Sequence, residues 1–207
     1  MKNPFQRFRS EFARYLRNGQ FEETSAGIRF PKAGAFAGGA LLVADQRRGT
    51  IEEVAMEANL LLRQGLNHML DVTLVPAGGY AQITKWYYAP FSANYTPNPA
   101  HTAADLPAAS GEFTEYTAAT RLEVSVPNRA ADGVAGASGI TATMEVKPGG
   151  PYNVYGVNIV SGQAKGSTSG VALASIPFAR PRLELGADAT SADKLGFGYR
   201  MSLRDEG

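Results

Sequence analysis

Cysteine is absent from all 207 residues. That excludes disulfide frameworks, thiolate metal sites and cysteine nucleophiles, and it fits a protein made in the cytosol better than a cross-linked secreted scaffold. Histidine is scarce: only His68 and His101 occur. Neither has a histidine or carboxylate at metal-ligand spacing, and there is no His-Glu-x-x-His pattern, so no metal is expected. Long apolar runs are missing too. The longest, Ala35 to Ala44, is rich in glycine and alanine and falls far short of the roughly 20 residues that cross a bilayer, so no membrane partner is expected. Met1 leads into arginine-rich sequence with no apolar core behind it, and no signal peptide is expected.

A strong charge of either sign is lacking as well, the formal net charge being +1. The distribution is uneven. Lys2, Arg7, Arg9, Arg14 and Arg17 stand against Glu11 alone in residues 1–18, and the remainder carries 15 basic against 18 acidic residues. A global attraction to nucleic acid is therefore not expected; a local one at the N-terminus stays open.

Apolar residues make up 44% of the chain, enough to argue against disorder throughout and for one well-buried core, with or without an appendage. The 23 glycines and 12 prolines suit many short strands and turns better than a helical bundle. Pro4 and Gly19 bracket a helix over 4–18. Phe5, Phe8, Phe12, Tyr15 and Leu16 form one apolar stripe on it, opposite a basic face that includes Arg7 and Arg14. A helix of that length is marginal in water, so the stripe must dock on something. Residues 19–40 show no regular period; with Phe30 and Phe36 set among Gly, Ala and Pro, they read as a linker or an extended strap.

Residues 40–62 admit two readings. Thr50 and Glu53 resemble a capping box before helically spaced Ile51, Val54, Ala55, Ala58 and Leu62. Yet Val54, Met56, Ala58, Leu60 and Leu62 also alternate, and "DQRRG" would be a hairpin turn. The balance favours a hairpin over 41–60 followed by a short helix over 64–71.

Beyond Ile83 alternation dominates. "ITKWYYAPF" is aromatic and β-branched. Leu122, Val124 and Val126 face one way with Arg121, Glu123 and Ser125 opposite; Ile140, Ala142, Met144 and Val146 repeat the pattern. So do Tyr155, Val157 and Ile159, and then Leu195, Phe197, Tyr199, Met201 and Leu203. The expected fold is mainly β: an antiparallel β-sandwich, jelly-roll or Ig-like, with the short helix near 64–71 and an N-terminal helix plus extended arm. Residues 1–50 are assigned to helix and strap, residues 51–207 to the sandwich. A long polar connection, 92–111, is of the kind usually functional or packed on a partner.

Reactive templates fail. "SGQAKGSTSG" (161–170) is no P-loop, because Lys165 precedes Gly166 and a strand follows. Nor is it a nucleophile elbow, since Thr168 occupies the place a serine would need. Glu52, Glu53 and Glu57 cluster on what reads as a solvated face. Trp86, Tyr87 and Tyr88 could stack a sugar or a base, but within a strand such aromatics serve a core or an interface. No enzymatic activity, catalytic residue or cofactor is expected.

The segments "NLLLRQGLNHMLD" (59–71), "KWYYAPF" (85–91), "FTEYTAATRLEV" (113–124), "YGVNIVSGQAKGSTSGVALASIPF" (155–178) and "LGFGYRMSL" (195–203) resemble, in this order, a family of small tailed-bacteriophage virion structural proteins. The resemblance covers about 59–203 and leaves out 1–50; Gln64 stands where that family favours an acidic residue. It implies a virion component assembled in the host cytoplasm, most concretely a head decoration or cement protein, with a neck, collar or tail component as the alternative. The implied partners are the major capsid protein or other virion subunits, and further copies of itself as a homo-oligomer. Phe5, Phe8, Phe12, Phe30, Phe36, Arg7, Arg14 and Trp86 are the candidate contact residues. A host-glycan-binding module using Trp86 to Tyr88 is the rival from another class.

Overall fold

The computed structural model describes residues 21–23, 29–31, 35–75, 80–126, 128–131, 134–185 and 187–205. The expected N-terminal helix, with Phe5, Arg7, Phe8, Phe12 and Arg14, lies outside the described residues. Within the arm, β1 (Phe21–Glu23) and β2 (Arg29–Pro31) pair antiparallel, Glu22 opposite Phe30.

A compact unit spans Ala37–Leu203. Its elements in chain order are β3 (Ala35–Arg47), β4 (Thr50–Ala58), β5 (Leu60–Leu61), α1 (Arg63–Leu74), β6 (Tyr87–Phe91), α2 (Leu106–Ser110), β7 (Leu122–Glu123), β8 (Asn128–Ala131), β9 (Val134–Gly136), β10 (Ala142–Glu145), β11 (Tyr152–Val160), β12 (Ala172–Leu185) and β13 (Lys194–Asp205). One antiparallel sheet runs β4-β3-β13-β9-β8, with β10 also on β13; the other runs β5-β12-β11-β6-β7. The protein is mainly β, a two-sheet antiparallel sandwich.

The ambiguity at 50–58 resolves as strand. Non-local pairing with β3, from Ala40 opposite Ala58 to Arg47 opposite Thr50, overrides the capping-box pattern, and the turn sits at Arg48–Gly49 within "DQRRG". This hairpin carries the chain across residue 50 without a break.

The inward residues of both sheets make one core. Leu41, Val43, Met144, Leu195 and Phe197 from the first sheet meet Tyr88, Val157, Ile159, Ala174 and Ile176 from the second. Across the gap the rings of Tyr88 and Phe197 stack with centroids 5.0 Å apart. Burial pushes the Tyr88 hydroxyl up to about 12. Glu57 on β4 and Arg182 on β12 add a buried tie between the sheets, Nη2 donating to Oε1 over 2.9 Å.

The helix α1 is longer than expected and lies close on β12. A Cβ at Gly65 would sit 2.6 Å from Leu173 Cα, so only glycine permits this approach. Several expectations need correction. In β4 the phase is reversed: Glu57, read as solvated, is 8% exposed and Met56, read with the apolar set, is 68% exposed, because Arg182 of the other sheet pairs with the Glu57 carboxylate. Val126 and Ile140, read with inward-facing sets, are exposed. Strand β6 begins at Tyr87, not at Ile83, so Trp86 precedes the strand. Arg121, expected to face solvent, is 3% exposed.

The connection 92–111 packs on its own body. It lays Ala103 and Leu106 over the outer face of the second sheet, against Leu62, Ala89, Val160 and Ala172. Hence β6 is buried at every position. A directed chain of hydrogen bonds pins the covering segment. Asn158 Nδ2 donates to Ser110 Oγ (3.0 Å), and Ser110 Oγ donates to Leu106 O (2.7 Å). Ser175 Oγ donates to Asn158 Oδ1 (2.7 Å), which makes Tyr95 the donor in its 3.0 Å contact with Ser175.

Candidate functional site

Two features stand out: the glycine-rich connection, and an apolar trough beside Trp86.

The connection 161–171 joins β11 to β12, which pair antiparallel. Gly166 and Gly170 hold φ of +71° and +95°, where side chains other than glycine's are strained. A buried ion pair clamps it. Arg121 Nε and Nη2 donate to the two carboxylate oxygens of Glu112 at 2.8 and 2.5 Å, the fork geometry that suits arginine. Its remaining donors reach the carbonyls of Gly162 (2.7 Å) and Ser167 (3.2 Å) inside the connection. Glu112 in turn accepts the Gly166 N–H at 2.9 Å. Lys165 donates to the carbonyls of Thr114 (3.1 Å) and Tyr116 (2.9 Å), with its ammonium 3.5 Å from the centre of the Tyr116 ring. Desolvation, seconded by Lys147, lowers the Lys165 pKa; burial, then Glu112, raises that of Tyr116. The lysine of this "GSTSG" neighbourhood is thus engaged with backbone, and its chemistry is that of a clasp.

Gln64 performs a related task at the sandwich end. Its Oε1 accepts from the N–H groups of Ala103 (2.9 Å) and Ala172 (2.8 Å), and its Nε2 donates to Gly170 O at 3.3 Å. One amide on α1 so joins the covering segment, β12 and the glycine-rich connection. A carboxylate at this position would keep both acceptor bonds and lose the donor bond.

The trough opens where α1 passes the segment before β6. Met69 and Val72 of α1, Ile83, Trp86, Leu173 of β12 and Met201 of β13 line about 290 Å³, with His68, Thr73 and Gln82 as the polar lining. A second cavity of about 100 Å³ shares Trp86, Leu173 and Met201 and runs on to Val126 and Tyr199. Trp86 is half-buried here. The His68 ring meets it edge-on at 6.4 Å, and the Trp86 carbonyl accepts the Val124 N–H at 2.7 Å. Tyr87 and Tyr88 are fully buried. The expected aromatic trio therefore presents one ring, Trp86, to the surface.

Of the expected contact residues, Trp86 is the one whose side chain is among the described residues. For Phe30 and Phe36 the backbone is placed in β2 and β3, and their side chains lie outside the described part. Sequence reading missed Met69, Leu173 and Met201, each of which looks like an ordinary core residue of its element. It also missed the exposed leucines of α1, Leu70 (54%) and Leu74 (68%). Their i, i+4 spacing was the available signal. Among the described residues, no group of three His, Cys, Asp or Glu side chains is placed to hold a metal ion.

Neither a protein-family model, nor a curated protein, nor a solved structure matches this chain.

Proposed function

We propose that this chain is a non-enzymatic structural subunit of a tailed-bacteriophage virion, most concretely a decoration or cement protein that stabilises the head through contacts between subunits. One observation carries the reading: the segments that resemble the virion family are those that hold the body together. "NLLLRQGLNHMLD" supplies Gly65 at the α1–β12 junction, "FTEYTAATRLEV" supplies Arg121, and "SGQAKGSTSG" is the connection that Arg121 clamps. What such sequences share is then a scaffold, and the task falls to surface contacts.

A decoration protein works by adding buried area across capsomer boundaries. About 800 Å² per partner gives a stable contact, and repetition over many copies multiplies it. The N-terminal segment carries the anchors: Phe5, Phe8, Phe12, Phe30 and Phe36, with Arg7 and Arg14 beside them, since large aromatics and arginine dominate interface energetics. The test adds purified full-length chain to heads of the phage that encodes it. Co-sedimentation and a higher temperature of head opening are expected, both lost in Phe8→Asp/Phe12→Asp. Failure of the unaltered chain to bind heads overturns the decoration role, and binding at the head–tail vertex alone selects the neck or tail component instead.

A further inference from the structure

The smaller cavity lies between the two sheets. Ala135 of β9 and Tyr199 and Met201 of β13 wall it on one side, Ile159 of β11 and Leu173 of β12 on the other. Ala135 and Met201 are direct partners in the first sheet, while Ile159, Leu173 and Tyr199 belong to the main core. It adjoins the trough across Trp86, Leu173 and Met201, so the core is approached here from the surface. Polarity is graded along this path. At the deep end the Tyr199 hydroxyl is already engaged, accepting from Asn59 Nδ2 at 2.7 Å. At the trough stand His68 and the exposed Thr73 and Gln82. Among the described residues, no Asp, Glu, Lys or Arg lines either hollow.

We infer that this cleft binds an uncharged single-chain amphiphile, its alkyl chain between the sheets and its hydroxyl-type head at Thr73 and Gln82. Three observations select that chemistry. First, the deep end suits hydrocarbon better than solvent: a buried water needs two to four polar partners, and the walls there supply few. Second, the size selects a chain. Benzene fills a cavity of about 150 Å³, or about 25 Å³ per carbon; the inner hollow, about 100 Å³, is too small for a ring and takes about four chain carbons. The trough, about 290 Å³, holds the remainder. Third, the mouth matches a neutral head. The Gln82 amide both donates and accepts, and the Thr73 hydroxyl, which donates to Met69 O at 2.7 Å, keeps lone pairs for a donor. A carboxylate or ammonium head finds no counter-charge in the lining, so an ionic amphiphile is disfavoured.

This inference stands apart from the virion reading, which rests on the N-terminal anchors and the family resemblance. Trp86 is the one tryptophan of the chain and lines both hollows, so its emission reports on the cleft. The experiment titrates the full-length chain with straight-chain alcohols from butanol to octanol, reading that emission and checking the binding by calorimetry. Expected is a saturable shift to shorter wavelength, with octanol binding at about 1 mM or tighter. Each added methylene should tighten binding about fourfold. Ala135→Leu puts three carbons into the inner hollow and should weaken octanol about tenfold or more. Val126→Phe, at an inner-wall position that is 49% exposed and so tolerant of change, should do the same and carries the test if Ala135→Leu fails to fold. Octanoate should bind about tenfold or more weakly than octanol, and Gln82→Lys should narrow that gap. No saturable shift with octanol overturns the inference, as does octanol binding that the folded variants leave unchanged, or octanoate binding as tightly as octanol. A chain that takes no octanol yet binds heads leaves the virion reading standing.

Discussion

Arg121→Met removes the cation from a pair whose side chains are only 2% and 6% exposed. What remains is the Glu112 carboxylate with one backbone donor, Gly166 N–H, and the carbonyls of Gly162 and Ser167 without their arginine donor. Breaking a buried pair from one side costs about 3–5 kcal/mol, because the surviving charge is left uncompensated. Swinging the connection outward would rehydrate those groups but would disturb the adjoining ends of β11 and β12, so little of that cost is recovered. Lys147–Glu115 is an internal control: a 3.2 Å pair, but with both side chains 49% exposed, where such contacts contribute roughly 0–1 kcal/mol. Urea unfolding followed by circular dichroism should therefore place Arg121→Met at least about 3 kcal/mol below the parent, and Lys147→Met within about 1 kcal/mol. The double variant Arg121→Met/Glu112→Leu should be more stable than either single change predicts, since it leaves no orphaned charge; a coupling of about 2 kcal/mol or more is expected. An Arg121→Met loss below about 1 kcal/mol, or no coupling in the cycle, would falsify the clamp.

Gln64 offers a second discrimination. Gln64→Leu strands the N–H groups of Ala103 and Ala172 and should cost about 2 kcal/mol, whereas Gln64→Glu keeps both acceptor bonds and should cost less than about 1 kcal/mol; equal losses in urea unfolding would contradict the bridging role. Asp193 sets a pH dependence. Burial alone would raise its pKa, but hydrogen bonds from the N–H groups of Thr190 and Arg48 and the Thr190 hydroxyl hold the carboxyl below the ordinary carboxylate range. With the folded value depressed, the stability it contributes is complete above the unfolded-state pKa and is lost as pH falls through the folded one. Thermal unfolding across pH should show Asp193→Asn less stable than the parent at neutral pH, with the gap closing in acid; a gap independent of pH would refute this account.

Period-two patterning was legible along β10 and β13 but not in β4, where Glu57 is the buried residue, held by Arg182, and Met56 is exposed. Met144, Val146, Leu195 and Phe197 are all buried as alternation requires. The pattern misleads where a second layer covers the opposite face. Asn158 in β11 and Arg121 just before β7 occupy the outward phase of the alternation, yet both are buried, one beneath α2 and the other beneath the glycine-rich connection. Those coverings come from distant chain, and no local window contains them. The segment before Tyr87 failed for a different reason: "ITKW" has strand composition but turns along α1 to form the trough wall. The trough itself had no signature, because its lining comes from α1, the approach to β6, β12 and β13, and only folding brings these together.

We propose that this protein acts by adhesion within a particle. The most direct measurement is an image of the intact virion at a resolution that traces individual chains. The account predicts this sandwich repeated over the head surface, its N-terminal segment inserted against neighbouring subunits. Purified virions that contain no copy of the chain would contradict it.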